Sequence, residues 1–234
     1  MWWLAIGCAS IPDWFHRSTL DTPPCGGGVA QVPGSATVWV HVSRDADPDS
    51  ALAATQAAAS WWAGAGLDLS AAGTDRITLP EVLGGDVTRG DGIERVLDPL
   101  AGWFAAPHPH GDVDLVLVRD IAGPRSPVSR DIGDLVAGFT VSPALAEDPL
   151  SAAILARLGP RPHPTIFVST DALSALGPDR ARWVVAHELG HALGLPHDPE
   201  PGNLMFAEPS ACRPSLRPDQ ASAIVAARDV DTPP

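Results

Sequence analysis

Apolar and other residues alternate from Thr37 to Ser43, with Val38, Val40 and Val42 on one face against Trp39 and His41 on the other, and that period of two predicts a strand. The alanine-rich run from Ala51 to Ala65, carrying Trp61 and Trp62, predicts a helix. Val113 to Arg119 (VDLVLVR) predicts a second strand, and Leu135 to Val141 (LVAGFTV) and Thr165 to Thr170 (TIFVST) predict two more. A long helix is expected from Pro178, a residue suited to the first helical position, to Leu193, where Gly194 can supply a left-handed stop. A final helix is expected from Pro218 to about Arg228. Strands and helices dominate up to the long helix and loop dominates after it, which predicts an α+β fold with an α/β-type upper lobe over a small lower lobe. Residues 1–34, with PPCGGG at 23–28, read as a leader, arm or short pro-segment. Residues 35–234 read as one folded unit, its upper lobe about 35–194 and its lower lobe about 195–234.

A chain of 234 residues is long enough to bury a core without staples, and 45% hydrophobic residues is ordinary for a globular protein. No stretch approaches the roughly 20 apolar residues that span a bilayer as a helix. The formal charge of −13, from 28 acidic against 15 basic residues, with no lysine, argues against nucleic acid as a partner. A monomer is expected.

The chemistry concentrates in HELGHALGLPHD, His187 to Asp198. On a helix His187 and His191 lie four apart and project from one face, so two imidazoles can reach one ion at about 2.0–2.1 Å. Glu188 sits beside the first ligand, where its carboxylate can take a proton from water without coordinating the metal. Gly194 permits a turn with positive φ, which makes His197 available as a third ligand. Three protein ligands leave a fourth position open, the arrangement of a catalytic zinc site. One catalytic Zn2+ is therefore expected, with Glu188 as general base and acid in a hydrolysis.

This pattern resembles the extended HExxHxxGxxH motif of the metzincin clan of zinc peptidases, in which a methionine-bearing turn follows. Asn203, Leu204, Met205 and Phe206 (NLMF) supply that turn, and the resemblance implies that Met205 is a hydrophobic floor beneath the zinc and not a ligand. The short gap from His197 to Met205 and the helix starting near RPDQ resemble the matrixin branch, whereas Asp198 after the third histidine resembles the adamalysin branch. The resemblance covers about 37–228 in the order of elements and is specific across 187–206. It implies a zincin-like fold with a mixed twisted sheet, an active-site helix and a small C-terminal lobe. It also implies hydrolysis of a peptide bond in a protein or peptide lying along an edge strand, for which Leu135 to Val141 is the candidate, beside a pocket bounded by the helix and by residues after Met205, including Phe206 and Pro209.

Matrixins carry a second, structural zinc, for which His108, His110 and Asp112 are the nearest counterparts here. LVAGFTV lacks the histidine that the family's strand supplies, so HPHGD is read as a solvated loop. Asp112, Asp114, Asp131 and Asp134 are the candidates for binding calcium, but their spacing matches no calcium loop.

The three cysteines are too scattered for a thiolate cluster. Cys8 closes MWWLAIGC, which resembles a lipoprotein lipobox but has only seven residues before it, none basic. Lipidation at Cys8 and simple packing of Trp2 and Trp3 both stay open. Cys25 either pairs with Cys212 in a disulfide, the favoured reading in an oxidising compartment, or caps the zinc as in the matrixin propeptide. A secreted or envelope location is expected. The rival function is a catalytically silent zinc-binding envelope protein, which would have no use for Glu188.

Overall fold

Strand β1 (Gly34–Ser43) lies between β2 (Leu67–Ile77) and β4 (Val113–Val118), parallel to both. The computed structural model describes residues 24–79, 82–84, 100–104, 106–122, 137–145, 155–156, 163–207 and 212–230. A mixed five-stranded sheet has the order β2-β1-β4-β7-β6. In it β7 (Thr165–Ser169) runs parallel to β4, and the edge strand β6 (Gly138–Val141) runs antiparallel to β7. A separate parallel pair joins β3 (Val82–Gly84) to β5 (Asp120–Ala122).

The central strands β4 and β7 are buried at every position, as expected of parallel strands covered on both faces. Val113, Leu115 and Leu117 join one core, with Val38, Val40 and Val42, while Val116 and Val118 join a second core with Phe167, Leu100 and Ile121. The first core is closed by α1 (Asp49–Gly64) and α3 (Pro178–Ala192). Ala51, Ala54, Ala58, Trp61 and Trp62 form the buried stripe of α1, and small residues there let it approach α3 closely. Trp62 is fully buried and its indole N–H donates to the Ala186 carbonyl of α3 at 3.2 Å. Trp61 meets Trp183 edge to face at 6.4 Å. Truncating a tryptophan buried in this way typically costs about 3–5 kcal/mol. The short helix α2 (Thr170–Leu176) is capped by the Ser169 hydroxyl, which accepts from the Ala172 N–H, and leads through Gly177 at φ 73° into α3.

Between α3 and α4 (Pro218–Val230) the described residues form turns and isolated bridges. Residues 24–30 are packed against this region: Cys25 N–H donates to the Arg213 carbonyl, Ala30 N–H to the Leu216 carbonyl, and Cys25 is disulfide-bonded to Cys212. The segment at 213–216 is thus held between residues 24–30 and the turn at 202–204, where Leu204 N–H donates to the Ser215 carbonyl.

The expected strands and helices appear close to their predicted bounds, with three differences. The strand expected at 135–141 is described only from Ala137, and its ladder is Gly138–Val141. Thr170 belongs to α2 and not to the strand before it. The sequence reading left out the short elements β3, β5 and α2, and also β2, whose residues are mostly polar, alanine or glycine. It forms because β1 offers it a full ladder, and Trp39 lies over Gly73, where an added Cβ would stand 2.4 Å from the ring. Cys8 lies outside the described residues.

Candidate metal centre

Helix α3 ends in a left-handed turn built by its own sequence. Gly194, at φ 91°, donates its N–H to the His191 carbonyl, and Leu195 N–H donates to the Gly190 carbonyl, the paired bonds of a Schellman stop. This reversal carries the chain from His191 back to His197 within a few residues. His187, His191 and His197 each offer a ring nitrogen, and these atoms lie within 4.8 Å of one another. Ring centroids are 4.6 Å apart for His187 and His191, 4.6 Å for His191 and His197, and 5.3 Å for His187 and His197.

Two of the rings are oriented by backbone. His187 Nδ1 lies 2.8 Å from the Leu204 carbonyl and His191 Nδ1 lies 2.7 Å from the Leu195 carbonyl. A carbonyl oxygen only accepts, so each Nδ1 carries the hydrogen, which in the neutral ring leaves Nε2 as the lone pair that can bind a metal. Burial first, and His191 next, push the His187 imidazole down to about 3 despite the Leu204 carbonyl, so the ring is neutral at neutral pH. A neutral imidazole is the form that binds a metal. Three imidazole nitrogen donors, two of them preoriented, fit a zinc ion; His197, the exposed member, is held by the turn that follows Gly194.

Glu188 is buried on the same helix, and the Thr140 hydroxyl of β6 donates to its Oε2 at 2.6 Å. Gly138, also on β6, is what admits the carboxylate: an added Cβ there would lie 3.0 Å from Glu188 Cγ and 3.2 Å from Oε1. Thr140 and Gly138 escaped the sequence reading, because the pairing of β6 with β7 and the crossing of α3 bring them to Glu188.

Met205 is fully buried, with Asn203 Oδ1 accepting its N–H at 2.8 Å and its carbonyl accepting the Asp198 N–H at 2.8 Å. Its sulfur packs against the bare backbone of Gly190, where an added Cβ would lie 2.4 Å away. The turn is braced from below by Gln220, whose amide oxygen accepts from Asn203 Nδ2 at 2.9 Å. Buried Asp198 pairs with Arg217 and so faces the lower lobe. Arg217 in turn chelates Asp219 through Nε and Nη2 at 3.0 and 3.1 Å, which raises the guanidinium and lowers the carboxyl from their usual values.

Several other residues singled out in the sequence lie elsewhere. Phe206 is half-buried beside Met205, and Pro209, Asp131 and Asp134 lie outside the described residues. Cys25 Sγ is bonded to Cys212 Sγ, so the alternative of a thiolate capping the zinc is corrected. His110 stacks on His163 at 4.1 Å, and Asp112 accepts from the Thr37 N–H and hydroxyl at 2.7 and 2.9 Å, so neither joins His108 in a metal cluster.

No model of a known protein family matches the chain, and no curated protein matches it in sequence. Among solved structures, metalloproteinase-II from Bacteroides fragilis is similar at 12% identity and a TM-score of 0.48, over 92% of this chain and 58% of that one. This chain thus spans less than two thirds of that protein. Archaemetzincin from Methanopyrus kandleri is similar at 16% identity and a TM-score of 0.49, over 94% of this chain and 99% of that one. A zinc-dependent peptidase from Methanocorpusculum labreanum is similar at 15% identity and a TM-score of 0.40, over 80% of this chain and 92% of that one.

Proposed function

We propose that this chain is a zinc-dependent endopeptidase of the metzincin type, with the ion held by His187, His191 and His197. The observation that carries the reading is the convergence of three histidines, two with their Nδ1 hydrogens tied to backbone carbonyls, beside a buried glutamate that is not one of the ligands. When bound there, zinc supplies Lewis acidity at an open fourth position, polarising a carbonyl and acidifying water.

The chain's own residues do the rest. Glu188 takes the proton of the attacking water and delivers it to the leaving amine, and Thr140 holds its carboxylate in place for both transfers. The outer edge of β6, which among the described residues pairs with β7 alone, offers backbone groups to an extended peptide, so a substrate can pass through the site and be cut internally. Phe206 bounds the side-chain pocket next to the zinc. Met205 and Gly190 form the floor. The gap from His197 to Met205 favours the matrixin-like branch over the adamalysin-like one, and the disulfide favours a secreted or envelope location.

Glu188→Gln tests the reading. The variant should keep its zinc and its melting temperature while peptide-library cleavage falls by about 100-fold to 10,000-fold. Cleavage unchanged in this variant, or retained by wild type after full removal of metal, would refute it. A wild-type protein that binds zinc but cuts no peptide would favour the silent envelope protein.

A further inference from the structure

A second group of metal-ligating side chains lies on the sheet face turned away from α3. His41 on β1, Asp114 on β4 and His108 in the segment before β4 each offer a donor atom within 4.8 Å of the others. His41 is 0% exposed and Asp114 is 2% exposed. Neither contributes to the chemistry proposed for Glu188.

The hydrogen positions around this group are dictated by its neighbours. His108 Nδ1 lies 2.9 Å from the Ala106 carbonyl and must donate to it. His41 Nδ1 lies 2.7 Å from the carboxylate of Asp75, its cross-strand partner on β2, and donates there. Asp75 is itself held by the Trp39 indole N–H at 3.2 Å. In the neutral form of each ring Nε2 is then a lone pair, and both Nε2 atoms face Asp114: His41 Nε2 is 3.7 Å from Oδ1 and His108 Nε2 is 3.8 Å from Oδ2. Among the described residues buried His41 Nε2 has no hydrogen-bond partner. Asp114 Oδ1 also accepts from the Gly111 N–H at 3.2 Å, but its carboxylate and the two Nε2 atoms set acceptor against acceptor in a largely buried site, which is unfavourable unless a cation lies between them.

The spacing favours a metal ion over protons. Hydrogen bonds from protonated rings would draw the atoms to about 2.7–2.9 Å. Ligands at about 2.0–2.1 Å from one tetrahedral zinc stand roughly 3.3–3.5 Å apart, nearer to what is seen. The surroundings are also preset. Trp103 stacks on His108 at 4.3 Å and meets His41 edge to face at 5.1 Å, fixing both rings. The segment carrying His108 is clipped to β1 by Asp112 and Thr37. It passes so close that a Cβ on Gly111 would lie 2.7 Å from the Thr37 carbonyl.

We propose that His41, His108 and Asp114 bind a second divalent ion, zinc by the chemistry of two imidazoles and one carboxylate, with Asp75 orienting His41. The ion ties the segment before β4 to the sheet and is independent of the His187 centre.

Metal stoichiometry of the full chain tests this. Wild type dialysed against zinc and then zinc-free buffer should retain two equivalents by mass spectrometry. His108→Ala should retain one, and His187→Ala with His191→Ala should also retain one, visible after cobalt exchange as d–d absorption. If His108→Ala fails to fold, the wild-type count and the cobalt spectrum of the double variant still decide. One equivalent in wild type, lost in the double variant and kept in His108→Ala, would overturn the second site while leaving the peptidase reading intact. Two equivalents with the second unaffected by His108→Ala would also overturn it, by placing that ion elsewhere.

Discussion

Replacing Gly190 by alanine sets two effects against each other. Glycine inside a helix costs about 0.5–1 kcal/mol relative to alanine, so Gly190→Ala ought to stabilise α3 on propensity alone. The new Cβ would stand 2.4 Å from Met205 Sδ and 3.2 Å from Cε, where neither can remain. A methionine on a surface would swing away at little cost. Met205 is fully buried and its backbone is bonded on both sides, by Asn203 Oδ1 and by Asp198 N–H, so the turn must move with it. Overpacking of this kind costs about 1–3 kcal/mol, which outweighs the propensity gain. Leu204, the neighbour of Met205, supplies the carbonyl that orients His187, and loss of such second-shell support typically weakens metal binding about 10-fold to 100-fold. The metal-free variant should melt below wild type, and zinc affinity measured against a chromophoric chelator should fall within that range. A variant that melts higher and binds zinc as tightly would refute the claim that the floor of the site sets the residue at 190.

Thr140→Val should lower kcat about 10-fold to 100-fold with KM and zinc content unchanged, because a hydrogen bond to a charged group is worth about 1.5–3 kcal/mol; an equal rise in KM would point to substrate binding instead. Cys25→Ser combined with Cys212→Ser opens a cross-link spanning 187 positions, which the loop-entropy model values at about 5 kcal/mol. Urea midpoints should drop accordingly, and an unchanged midpoint would show that residues 24–30 hold without the bridge. Burial keeps folded His187 near 3 against 6.5 when unfolded, so between these values the unfolded chain binds the extra proton. Metal-free protein should therefore hold this stability above about pH 6.5 and lose a few kcal/mol as pH falls toward 3, with His187→Asn flattening the urea-midpoint slope. An identical slope in the variant would assign the effect to other groups.

The three-histidine centre is legible in the sequence because its logic is local. An i, i+4 pair on one helix face, a glycine that ends the helix and a histidine three residues later are all set by backbone geometry within eleven positions, His187 to His197. The alternation in β1 and the alanine stripe of α1 are local in the same sense. Everything that depends on register was decided by the tertiary structure. β2 carries little strand signal of its own, yet its pairing with β1 sets Asp75 opposite His41. Asp114 reads as one acid among several until β4 is laid beside β1, two positions before the partner of His41. By sequence His108 groups with His110 and Asp112, its near neighbours, but the chain turns those two toward His163 and Thr37. Thr140 and Gly138 reach Glu188 only across 48 and 50 positions, through the antiparallel edge strand and the packing of α3 against it. Helical neighbours follow from spacing along one segment, whereas neighbours across a parallel sheet follow from which strands pair and in what register. That choice is made by burial over the whole core and leaves no mark in any single stretch of sequence.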